Sequence, residues 1–178
     1  DALENRDDDE GVNVLPYITS LKMTTARIKV ASTIEEAEAV IDSGNKVIIF
    51  TEYRATQNWL HEVLAVEGFT DGDRLLTMYG GMDPEKREEV KAAFQTSPEV
   101  SPVRILLATD AASEGLDFQN FCSRLIHYEI PWNPNRMEQR NGRVDRHGQK
   151  HEVLIYHFVA KGYKKQAESL PVDELEAD

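Results

Sequence analysis

The chain has 178 residues, 40% of them apolar and 29% charged, which fits one globular domain with a core large enough to need no disulfide staples. Its net charge is −12, from 32 acidic and 20 basic residues, and taken alone this argues against a surface built to hold nucleic-acid phosphates. The imbalance sits at the ends: residues 1–10 hold six acids and one Arg, residues 168–178 hold five acids and no base, and the span between carries only −2.

Acidic ends of this kind read as solvated segments. The expected organisation is therefore an acidic, irregular segment over 1–30, a folded domain over 31–162 and an acidic tail over 163–178. The single cysteine, Cys122, allows no internal disulfide and suits a reducing, cytoplasmic setting. Apolar runs such as 47–50 (VIIF) fall far short of the ~18 residues of a membrane span, so no membrane partner is expected. The first residue is not Met, and the chain is expected to be a piece of a longer protein.

In chain order, the first periodic segment is 34–41, which predicts a helix capped by Ser32 or Thr33. Lys46–Phe50 is a β-branched run behind the turn Ser43-Gly44-Asn45 and predicts a buried strand. Trp59, Leu60, Val63 and Leu64 recur at helical spacing. Arg74–Met78 predicts a second strand. Asp83-Pro84 predicts a helix start, with Val90, Ala93 and Phe94 as its apolar stripe. Further strands are expected at Val103–Ala108, Arg124–Tyr128 and Glu152–Val159, with His127 and His157 as core or edge residues. Asn133-Pro134 opens another helix, expected to run to about His147 over a packed Trp132. Strands alternating with helices predict an α/β fold, a parallel sheet with helices on both faces.

In such sheets ligands bind beyond the carboxyl ends of the strands. Thr51-Glu52-Tyr53-Arg54, Tyr79-Gly80-Gly81, residues 109–117 and the segment from Pro131 onward occupy those places. Residues 136–151 hold five Arg or Lys and two acids, a local +3. Arg136, Arg140 and Arg143 are spaced i, i+4, i+7 and so share a helix face, with Arg146 nearby. Such a run is either a solvated basic face or a set of guanidinium forks for phosphate. Gly142 inside the expected helix, where glycine costs about 1 kcal/mol against Ala, favours the second.

Several segments together resemble a known family. Gln139–Gln149 (QRNGRVDRHGQ) resembles motif VI of superfamily-two helicases and translocases. Ala108–Asp117 (ATDAASEGLD) resembles motif V, Lys46–Thr56 motif IV, and Tyr79–Phe94 the Gly-Gly element that follows it. Four motifs in order cover roughly residues 45–160. The His-Gly-Gln ending of motif VI is similar to Swi/Snf-type translocases, in particular the bacterial branch that includes the RNA-polymerase-associated translocase.

The resemblance implies a RecA-like second lobe of an ATP-driven nucleic-acid motor. It implies Arg143 and Arg146 as arginine fingers, with Gln139, Gly115 and Asp117 at the ATP cleft. It implies Thr109, Thr51, Arg54 and the Gly80-Gly81 amides as contacts to a nucleic-acid backbone, duplex DNA in preference to RNA. No G-x-x-x-x-G-K-[ST] cradle and no Mg²⁺-holding acidic box occur in the chain. Both belong to an N-terminal lobe, expected to be the partner that holds ATP with its Mg²⁺. A strand-separating DEAD-box-like helicase lobe and a non-catalytic binding module are the alternatives. Cys122, His147 and His151 do not make up a metal-ligand set, and no metal site is expected.

Overall fold

The computed structural model describes residues 15–113 and 117–158. Five strands form one sheet: β1 (Val47–Thr51), β2 (Leu75–Met78), β3 (Ile105–Thr109), β4 (Arg124–His127) and β5 (Leu154–His157). The spatial order is β2-β3-β1-β4-β5, and every pairing is parallel. β1 is central, with Val47 opposite Ile105 on one side and Arg124 on the other. It is buried along its whole length, which is why it reads as a continuous apolar run rather than an alternating one.

The helices are α1 (Leu15–Asp42), α2 (Arg54–Val66), α3 (Pro84–Gln95), the single turn α4 (Asp110–Ser113) and α5 (Pro134–Asn141). The two-residue period of the strands divides the core in two. Val47, Ile49, Ile105, Leu107 and Ile126 pack on Ala37 and Val40 of α1 and on Leu60 and Leu64 of α2. Ile48, Phe50, Leu106, Ala108 and Leu125 face the other way, onto Phe94 of α3, Phe118 and Val144. β1 departs through α2 over the first face, and β3 and β4 depart over the second. A cleft therefore opens where their carboxyl ends diverge.

Local sequence explains the well-defined helix starts. The Asp83 carboxylate accepts from the Glu85 and Lys86 amides at 3.1 and 3.2 Å, with Pro84 behind it. Asn133 accepts from the Asn135 amide at 3.0 Å, again followed by proline. Fully buried Lys46 closes the far end of α3 by donating to the Phe94 and Thr96 carbonyls at 2.6 and 2.5 Å. Burial, then the Arg104 charge, pulls its pKa down to about 8.

Three expectations are corrected. The helix at 34–41 is the end of α1, which runs without a break from Leu15, through the stretch expected to be irregular. Neither Ser32 nor Thr33 caps it; the Thr33 hydroxyl bonds back to the Lys29 carbonyl one turn earlier at 3.0 Å. α5 ends at Asn141, with Gly142 as its C-cap and not an interior residue. Trp132 does not pack under α5; it is 96% exposed.

Candidate functional site

The cleft at the strand ends has a volume of about 440 Å³. Glu52 and Arg54 reach it from β1, Tyr79 and Gly80 from β2, Thr109 and Asp110 from β3, and Arg136, Gln139, Arg140 and Arg143 from α5 and the turn after it. Arg54 stacks on Tyr79, its guanidinium carbon 3.3 Å from the ring centroid, and donates to the Gln57 side-chain oxygen. The Gly80 amide donates to the Thr109 hydroxyl at 3.3 Å. A Cβ on Gly80 would lie 2.8 Å from that of Ala111, so only glycine lets the two loops meet.

Beneath the cleft lies a buried polar network centred on Arg140, which is 1% exposed. Its Nε and Nη2 donate to the two Asp110 oxygens, the second at 3.0 Å. Its Nη1 donates to the Glu129 carbonyl at 2.7 Å and to His127 Nδ1 at 3.3 Å. His127 Nε2 meets the Asn141 side-chain oxygen at 2.8 Å, so the ring is held as the Nε2–H tautomer, with Nδ1 accepting. Burial, helped by the Arg140 charge, keeps its pKa below the usual histidine value.

The segment after α5 folds back on the sheet. Val144 is fully buried, and the Gln149 side chain donates to the Val144 and Cys122 carbonyls at 2.9 and 3.0 Å. The Phe118 amide donates to the Arg143 carbonyl at 2.9 Å, which brings Asp117 beside Arg146 as an ion pair. Both partners are about half exposed, 49% and 47%.

This arrangement joins strand-end loops to a folded-back arginine segment, and over residues 29–148 the chain matches the family described as the helicase conserved C-terminal domain. The chain belongs to that family. Among relatives, it is 36% identical over 154 residues to the uncharacterized ATP-dependent helicase YqhH of Bacillus subtilis, covering 86% of this chain and 25% of that protein. It is 35% identical over 111 residues to the RNA polymerase-associated protein RapA of Cronobacter sakazakii, covering 62% of this chain and 11% of that one. Arabidopsis thaliana SNF2 domain-containing protein CLASSY 4 is 30% identical over 155 residues, covering 83% and 13%. The helicase lobe thus spans a quarter or less of these relatives. In structure it resembles the C-terminal part of the Fun30 ATPase domain, with a TM-score of 0.65 at 21% identity over 84% of this chain and 48% of that one. It also resembles Mss116p DEAD-box helicase domain 2, with a TM-score of 0.60 at 23% identity over 76% and 50%. The fold is that of RecA-like helicase C-terminal domains.

Of the residues singled out from the sequence, Arg54, Gly80, Thr109, Gln139 and Arg143 meet at the cleft of this helicase lobe. Arg146 and Asp117 pair with each other beside it. Gly81 turns the chain next to Gly80 with a φ of 79°, in the left-handed region. Thr51 is fully buried in the sheet and does not line the cleft, contrary to its expected place among the binding residues. Gly115 lies outside the described residues. Arg136, Arg140 and Arg143 all reach the cleft as their spacing suggests, but only Arg136 and Arg140 do so from the helix, and Arg140 is consumed by Asp110 and Glu129. The role of Glu129 left no trace in local patterning, because all its partners are distant in sequence. Asp110, directly after a buried strand and ahead of a basic helix, carried a usable signal.

Proposed function

We propose that this chain is the second ATPase lobe of a nucleic-acid translocase of Swi/Snf type. ATP, with its Mg²⁺, is held on an N-terminal lobe of the same protein. The Arg143 guanidinium and the Gln139 amide face that nucleotide across the cleft, and Arg146 joins them when it leaves Asp117. A donor set of this kind suits the phosphate edge of a nucleotide and provides no cradle of its own, so the lobe completes a site rather than forming one. Arg54, Thr109 and the Gly80-Gly81 turn hold the backbone of a nucleic-acid strand, duplex DNA in preference to RNA.

The observation that carries this reading is the meeting of Gln139 and Arg143 with Arg54, Gly80 and Thr109 in one cleft at the strand ends. Converging backbone-binding and phosphate-facing groups are what a motor needs to link strand grip to hydrolysis. In the whole protein, Arg143→Ala should lower ATP turnover by roughly three to five orders of magnitude and leave nucleic-acid binding intact. This chain alone should show no nucleic-acid-stimulated ATPase. A mild loss in Arg143→Ala, or robust hydrolysis by the isolated lobe, would refute the proposal.

A further inference from the structure

Glu129, just beyond the end of β4, joins the two sides of the cleft from below, and the reading above gives it no task. Both carboxylate oxygens are engaged: one accepts the Glu52 amide at 2.7 Å, the other the Thr56 hydroxyl at 2.9 Å. These anchors stand two residues before and two residues after Arg54. α2 begins at Arg54, and Tyr53 supplies no side-chain cap to it. From the segment after β4, Glu129 thus braces the start of α2 on both sides, through the amide ahead of the helix and a side-chain hydroxyl in its first turn, and sets a negative charge near the helix N-terminus. Its own carbonyl accepts from Arg140, which lies between Gln139 and Arg143 on the arginine segment.

We propose that Glu129 is a positioning residue that fixes Arg54 for the nucleic-acid strand. The inference rests on the proposed role of Arg54. Loss of the carboxylate releases both flanks of Arg54, while the carbonyl contact to Arg140, a backbone feature, persists in any substitution. Strand binding should suffer and turnover on a saturated enzyme should not.

The test is ATP hydrolysis by the whole protein, titrated with a duplex DNA oligonucleotide and in parallel with an RNA duplex of the same sequence. For Glu129→Ala, the duplex concentration giving half-maximal stimulation should rise about tenfold, the scale of losing hydrogen bonds to a charged group. The rate at saturating duplex should stay within about twofold. Glu129→Gln keeps the shape and one accepting oxygen, and should return the half-maximal concentration to within about threefold of the parent. A merely structural role would lower thermal midpoint, saturated rate and apparent affinity together, with no rescue by Gln. That pattern, or a Glu129→Ala protein indistinguishable from the parent, overturns the proposal. Arg54→Ala separates the two layers. If it leaves the half-maximal concentration unchanged, the strand-binding role of Arg54 fails and this inference with it. If it raises that concentration and Glu129→Ala does not, only the role of Glu129 is refuted.

Discussion

Removing the Asp110 carboxylate should destabilise the lobe more than removing the arginine it serves. Arg140 is buried and makes four hydrogen bonds, two of them to Asp110. Asp110→Ala strands a buried guanidinium with two donors unmet, and breaking a buried pair in this way costs about 3–5 kcal/mol. The Glu129 carbonyl and His127 still hold Nη1, so the lower end, about 3 kcal/mol, is expected. At 2–4 °C per kcal/mol for a domain of this size, the melting midpoint should fall by roughly 6–12 °C. Arg140→Met takes a donor from the Glu129 carbonyl and His127 Nδ1 and leaves Asp110 behind, but the Asp110 side chain is 23% exposed and lies 3.9 Å from Arg136, so its charge can remain solvated and paired. Its cost should be smaller, about 1–2 kcal/mol. The double variant should recover part of the Asp110→Ala loss, since it removes the stranded charge and leaves only the neutral Glu129 carbonyl and His127 Nδ1 short of a donor. Urea unfolding followed by the fluorescence of Trp59, which packs against the core, measures all three. Additive losses in the double variant, or an Asp110→Ala cost under about 1 kcal/mol, would show that the pair does not support the cleft floor.

Gly80→Ala should cost about 1–3 kcal/mol, because the new methyl meets Ala111 at 2.8 Å. Ala111→Gly in the same chain should restore stability, as read by the urea midpoint. Burial pushes the Cys122 thiol up to about 12, so at pH 8 it should react with a disulfide reagent only as fast as the domain unfolds. Labelling as quick in buffer as in denaturant would contradict this. His127 is held below its ordinary value of 6.5, so below that pH the unfolded chain takes up a proton the folded one refuses. Stability should therefore fall as pH drops from 7 through that window, and His127→Gln should flatten the dependence. The exposed Arg146–Asp117 pair should matter little to folding: Asp117→Ala should change the unfolding free energy by no more than about 1 kcal/mol in calorimetry.

The sheet was legible because Val47–Thr51 and Ile105–Thr109 are apolar runs with turn signals behind them, and burial on both faces permits nothing else. Asp83-Pro84 and Asn133-Pro134 were legible because a cap is a local device. The end of α5 is not legible in the sequence, because the arginines keep helical spacing beyond Asn141. Past Gly142, whose φ of −63° is still right-handed helical, the Arg143 and Val144 amides bond to the Arg140 and Asn141 carbonyls in tighter turns, and Val144 enters the core, which no period reveals. Among three arginines at helical spacing, only tertiary structure shows that Arg140 is buried, since its partners Asp110 and Glu129 follow the ends of β3 and β4. The cleft was legible as a set of strand ends. The network that holds it was not, because each of its bonds spans ten residues or more.

The central place of β1 also bears on how the chain comes off the ribosome. β1 is synthesised first among the strands, yet Val47 must wait for Ile105 on one edge and Arg124 on the other. Until then the most apolar strand has two bare edges, each a template for another chain. Long-range parallel pairing of this kind closes slowly. Fragments ending between β2 and β4 should accordingly collect in inclusion bodies, and solubility should return only once His127 has been translated.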